Sequence, residues 1–280
     1  MTPAPATGRP TGPVAAAVLP HPPLLVPELA GAAAPELAPL RAACQGALAT
    51  VVAAAGLAVV IGDGPVWAVP APGAPGSFRS YGAEVEVELP APVDLDLPGL
   101  PPPAQLTDLP LSLAVAAHLL DALDPPPGQL FAATVPRSLG PGAAARIGQV
   151  LASAAPRFGL VVMADLSARR TEQSPGAFHP EAAGFDARVG DAFRAGTPHH
   201  VLTLDPAQCA DLLVAGRVPL QVLGGAFHGT PARDGEAPDE GALHGRAPGE
   251  DNRGLRGRVL YEDAPYGVGY LVAVLTGSEQ

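Results

Sequence analysis

Short runs of consecutive apolar residues, each closed by proline or glycine, alternate along this chain with stretches whose apolar positions recur at helical spacing. Val14 to Leu19 opens the series, and Pro20 ends it because proline has no N–H to give to a ladder. Leu57 to Ile61, Leu130 to Val135 and Phe158 to Met163 are equally uninterrupted, the pattern of strands buried on both faces of a parallel sheet. Between them the spacing predicts helices: an alanine-rich run from Glu36 to Ala55 with Leu37, Leu40, Cys44 and Leu48 on one face, then Leu111 to Leu123, Gly142 to Ala154 and Glu181 to Ala195. A further helix follows Asp205, a good N-cap with Pro206 at the first helical position. Leu255 to Tyr261 and Gly267 to Leu275 flank the turn Glu262-Asp263-Ala264-Pro265 and are expected to pair antiparallel. The expected fold is therefore a three-layer α/β/α domain whose central sheet is mixed and mostly parallel, with right-handed crossovers.

The remaining stretches read as connections. Val66 to Gly76 and Pro90 to Pro110 are loops rich in proline and glycine, while Phe78 to Leu89 alternates around Glu84, Glu86 and Glu88 and predicts an edge strand or hairpin arm with one wet face. Residues 1–12 are expected to be a disordered tail, and the acidic, glycine-rich stretch of about 229–254 a mobile loop, leaving 13–280 as one domain.

Composition narrows the partners. All 16 positive charges are arginine, and the net charge of −11 argues against nucleic acid or an anionic membrane, both of which need a basic face. The tail has no apolar core of a secretory signal, and Ala47 to Ile61 is too short to span a bilayer, so a cytoplasmic protein is expected. Cys44 and Cys209 are far apart in sequence and read as small buried residues in a reducing compartment.

Candidate chemistry gathers where strands end. In an open α/β sheet, ligands bind beyond the carboxyl ends of the strands. That rule selects His21 after the first strand, Asp63 after the second, and Asp165, Ser167 and Arg169 after Phe158 to Met163; Asp263 and Tyr266 in the last turn are further candidates. His21 lies between Pro20 and Pro22-Pro23, on a stiff peptide that is either a rigid turn with an exposed imidazole or a mount for a ligating or catalytic group. Asp63, flanked by glycines, is a carboxylate beside His21 or a turn residue. Arg169 and Arg170 either form ion pairs with Asp165 and Glu172 or make an anion site. Of the other histidines, His118 is expected to be packed or half-exposed in its helix, and His199 and His200 to point to opposite faces of an extended turn. Nucleophile-elbow, phosphate-loop, dinucleotide and zinc-protease motifs are missing.

Three blocks, PHPPLLVPELAG, LVVMADLSARRTEQSPGAFHPEAAGFDARV and DAPYGVGYLVA, span nearly the whole chain. Together they resemble the class III, LigB-type extradiol ring-cleavage dioxygenases, in particular the LigB-like branch seen in actinobacteria, with Memo-type proteins as more distant relatives. The resemblance implies a LigB-like fold and non-haem Fe(II)-dependent cleavage of a catechol-type ring, with His21 as an iron ligand. It implies a second histidine where this chain has Asp63, and an acid/base histidine where it has Ala168, in Asp165-Leu166-Ser167-Ala168. A facial ferrous site needs two histidines and a carboxylate. Two expectations follow: a dioxygenase-like enzyme with His21 and Asp63 at the metal and Asp165, Ser167 and Arg169 at the substrate, or an inactive descendant that binds a small anionic or aromatic ligand, or a protein partner, in the same pocket.

Overall fold

The structure is a computed structural model in which residues 11–228 and 255–277 are described; the expected loop over 229–254 and most of the expected tail lie outside them. Thr11 and Gly12, assigned to that tail, are bound to the domain: Thr11 bridges Pro156, and the Gly12 N–H donates to Ala155 O.

The four apolar runs become four adjacent parallel strands: β1 (Pro13–Leu19), β2 (Leu57–Gly64), β7 (Gln129–Pro136) and β8 (Phe158–Met163), in the spatial order β7-β2-β8-β1. All six residues of β8 are buried, as an uninterrupted apolar run in a covered sheet requires. The last two strands, β9 (Leu255–Asp263) and β10 (Tyr270–Gly277), pair antiparallel, and β10 joins β1 antiparallel. On the opposite side β3 (Ala68–Pro70) pairs antiparallel with β7, and β6 (Ala104–Leu106) pairs parallel with β3, completing an eight-stranded mixed sheet. These two short strands lie in segments expected to be loops. Their prolines stay at strand ends or outside the strands, where a missing N–H costs no ladder bond.

Helices cover both faces. Alternate residues of β1 divide cleanly: Ala15, Ala17 and Leu19 pack with α2 (Ala38–Ala54) and α3 (Leu111–Asp121), whereas Ala16 and Val18 pack with α4 (Pro141–Ala154), α5 (Ala182–Arg194) and α7 (Arg217–Ala226). This is the period-two alternation of a strand between two apolar cores. Two short helices complete the set, α1 (Pro27–Ala30) after the His21 segment and α6 (Pro206–Asp211), whose N-cap Asp205 accepts from the Gln208 N–H as expected. Cys44 and Cys209 are both buried.

The expectation over Phe78 to Leu89 needs correcting. Only β5 (Glu86–Glu88) is extended, paired with β4 (Pro75–Ser77) in a separate two-stranded sheet, while Arg79–Tyr81 forms a 3-10 turn. Phe78 is fully buried and pins the turn, and exposed Arg79 bridges Glu84 and Glu86, so those glutamates are solvated partners of an arginine.

Candidate functional site

Each of the four parallel strands delivers one charged side chain to the same end of the sheet. His21 follows β1, Asp63 is the penultimate residue of β2, Asp165 lies just beyond β8, and Arg137 is the first residue after β7. His21 is fully enclosed, at 2 % exposure, so its proline-locked segment is not a turn carrying a solvated imidazole. Its Nε2 lies 3.1 Å from Asp63 Oδ1, and its Nδ1 lies 3.9 Å from Asp165 Oδ1. That same Asp165 oxygen accepts from the His21 backbone N–H at 2.8 Å, which ties the end of β8 to the end of β1. The second oxygen of Asp63 accepts from Arg137 Nε at 2.6 Å.

Asp63 belongs to the strand and not to a turn: it is in register with Val135 of β7. Its glycine neighbours are there for close approach. A Cβ at Gly62 would collide with Ser112, and one at Gly64 with Thr134. The Ser112 hydroxyl, at the start of α3, donates to Asp63 O at 2.7 Å and holds the backbone from the other side.

The electrostatics follow from this packing. Burial opposes a charge on His21, but Asp165 and Asp63 outweigh it and hold the imidazole above its ordinary value of 6.5, against a smaller push from Arg137. Burial also opposes a charge on Asp63, yet the hydrogen bond and charge of His21, with Arg137 behind it, hold this carboxyl below its usual 3.8. Asp165 moves the other way: burial raises it, and the charge and backbone N–H of His21 only partly compensate. The result is a buried imidazolium between two carboxylates, one of them capped by a guanidinium.

Ser167 and Arg169 do not join this cluster. Ser167 is wholly buried, its hydroxyl donating to Leu212 O at 2.9 Å and its backbone N–H to Asp186 Oδ1 at 3.1 Å. Arg169 turns to Ala177 O and to Asp211, which also meets His179 Nε2 at 3.2 Å. Arg170 pairs with buried Asp186 at 2.7 Å, whose carboxyl burial pushes up to about 6 in spite of the arginine. The DLSARRTE arginines therefore fix the loop. Tyr266 reaches Glu36 at 2.9 Å, and Asp263 accepts from the Ala264 N–H. His118 is half-buried, edge-on to Phe78. His199 and His200 share a 3-10 helix begun by Pro198, so their rings meet edge-on at 4.5 Å instead of pointing apart.

The residue missed from sequence was Arg137. Its signal was the strand-end rule itself, because it directly follows an apolar run of strand length.

The donor set does not suit Fe(II). A facial site needs three donors converging on one point with positions left open, whereas here the two carboxylates lie at opposite nitrogens of one imidazole. Nε2 is engaged by Asp63, and Asp63 is engaged in turn by a cation. Among the described residues, no group of three or more His, Cys, Asp or Glu side chains is arranged to hold a metal ion.

No protein-family model matches the chain, and no curated protein matches it. Among solved structures it is similar to the crystal structure of an uncharacterized protein from Escherichia coli K12, with a TM-score of 0.54 and 14% identity over 94% of this chain and 100% of that one. At this identity the likeness speaks for the fold alone. No helix among the described residues is long and apolar enough to cross a membrane.

Proposed function

We propose that this chain is a descendant of the extradiol dioxygenases, related through its HPPLL segment, that binds a small anionic or aromatic molecule at the strand-end cluster without a metal ion. One observation carries the reading: His21 faces a carboxylate at each ring nitrogen, and the carboxylate at Nε2 is also capped by Arg137. Two cations against two carboxylates balance the buried charge internally, which is the condition for keeping ionised groups out of water. Asp165, at 17 % side-chain exposure, and Arg137, at 65 %, are the two members that meet solvent. They are the groups an incoming ligand contacts, while His21 and Asp63 lie beneath and fix their charge.

The experiment is metal analysis of protein purified without oxygen, followed by oxygen uptake with catechol and with protocatechuate. The expected result is iron far below one per chain, unaltered in His21→Ala, and no turnover. Iron near one per chain that is lost in His21→Ala, together with oxygen uptake, overturns the proposal in favour of the inherited ring-cleavage chemistry. Cytoplasmic residence fits a small-molecule binder with two buried thiols.

A further inference from the structure

Arg137 spends only part of its hydrogen-bonding capacity inside the cluster. Its Nε donates inward to Asp63, yet its side chain is far more exposed than that carboxylate, and Asp63 is the only side chain it pairs with among the described residues. A guanidinium presents its donors in a rigid plane, so anchoring Nε leaves the Nη groups as an outward fork of the shape that matches a carboxylate.

The base of this fork is clamped. Arg217, buried at the start of α7, donates from Nη2 to Arg137 O at 2.7 Å and to Leu139 O at 3.0 Å. Its Nη1 donates to Gln221 at 2.8 Å, and Gln221 reaches Leu204 O at 3.0 Å. The Gly216 N–H that precedes α7 donates to Asp165 O at 2.8 Å, and the first turn of α7 has no acidic side chain to neutralise the positive helix end. A side chain that meets solvent from so fixed a loop loses little freedom on binding. A second observation points the same way: buried His21 Nδ1 has no hydrogen-bond partner, so the cluster retains unused polar capacity.

We propose that Arg137 is the recognition residue of the site and grips the carboxylate of a small organic acid through Nη1 and Nη2. This rests on the metal-independent reading above and names the ligand chemistry for it. The two buried carboxylates do not repel such a ligand as a pair, because His21 and Arg137 offset them and Arg137 is the outermost charge.

The test is calorimetric titration of the iron-free protein with acetate, with benzoate and, separately, with inorganic phosphate, while the Arg137 Nε–H is followed by NMR. Saturable binding of a carboxylate that shifts this resonance is expected. Arg137→Ala should weaken it at least about tenfold, the loss of charge-assisted hydrogen bonds. Arg137→Lys keeps a cation beside Asp63 but loses the fork, so it should weaken binding too, and it carries the comparison if the alanine variant does not fold. Arg188→Ala, which removes an exposed arginine lying over Phe185, should change nothing. Absence of carboxylate binding, equal affinity in Arg137→Lys, or tighter binding of phosphate than of either acid overturns the assignment. Iron with turnover overturns instead the reading on which it rests, so the two failures are distinct.

Discussion

His21 has almost no contact with solvent, and its charge is stable only because of what flanks it. Asp63→Asn would leave the imidazolium facing one carboxylate at 3.9 Å and Arg137 with no anion beside it. Breaking one side of a buried pair costs on the order of 3–5 kcal/mol, so urea unfolding of Asp63→Asn should show a loss of that size. The pH dependence has two limbs. His21 is raised, so its contribution is full below 6.5 and fades as pH climbs through the folded value; Asp63 is lowered, so its contribution is full above 3.8 and fades as pH falls through the folded value. His21→Asn should therefore flatten the alkaline limb in urea midpoints measured across pH. Asp186 supplies a separate effect. Its carboxyl is raised by burial to about 6 from 3.8, so the folded state binds a proton that the unfolded chain has released, and stability drops as pH rises through that window. Asp186→Asn should remove most of this decline, worth roughly 3 kcal/mol at its fullest, while Asp165, also raised, leaves a remainder. A decline as steep in Asp186→Asn as in the parent protein would show that the proton is held elsewhere.

At the scale of elements, helix contacts are set by where side chains are missing. Helices α4 and α7 cross with backbone against backbone: a Cβ at Gly148 would collide with Val222 O and Ala226 N, and one at Gly225 with Ala145 O. Gly148→Ala should therefore push the helices apart and destabilise by about 1–3 kcal/mol or more. Gly46, on the exposed side of α2, has nothing near the site of a Cβ, so Gly46→Ala should stabilise by roughly 0.5–1 kcal/mol. The pair, measured side by side by urea denaturation, separates packing from helix propensity; equal signs for both would contradict the crossing. The same distinction explains what was legible beforehand. Uninterrupted runs such as Phe158 to Met163 announced their strands because burial on both faces leaves no polar residue to blur the pattern. β3 and β6 were invisible because strands this short have no periodicity, and they lie among prolines. α7 hid for a related reason: every residue in it is buried, so it has no polar face, and Pro219 near its start reads as a breaker although proline is tolerated in a first turn. At the site, strand-end logic located His21, Asp63 and Asp165. It could not tell that Ser167 and Arg169, a few residues further along, turn away to Leu212 and Asp211, since loop direction depends on contacts remote in sequence.

For the whole molecule, the cluster lies on the seam between two cores. Helices α2 and α3 cover one face of the sheet, α4, α5 and α7 the other, and the four charged residues close the end at which both layers meet the strands. A metal ion at such a position would contribute its binding free energy to folding, because the unfolded chain has no assembled site, and its removal would lower the melting temperature. Internal charge balance predicts the opposite. With Arg137 beside Asp63 and His21 between the two carboxylates, the folded state gains nothing from a divalent cation and must displace a salt bridge to admit one. Thermal unfolding of protein purified without oxygen should therefore be unchanged by excess chelator and by added ferrous ion. Arg137→Ala should lower the melting temperature in both conditions, since it uncovers a buried carboxylate. A chelator-dependent fall in the parent protein, reversed by ferrous ion, would mean that the ring nitrogens of His21 exchange their carboxylate partners for a metal, and that the salt bridges described here belong to the empty form.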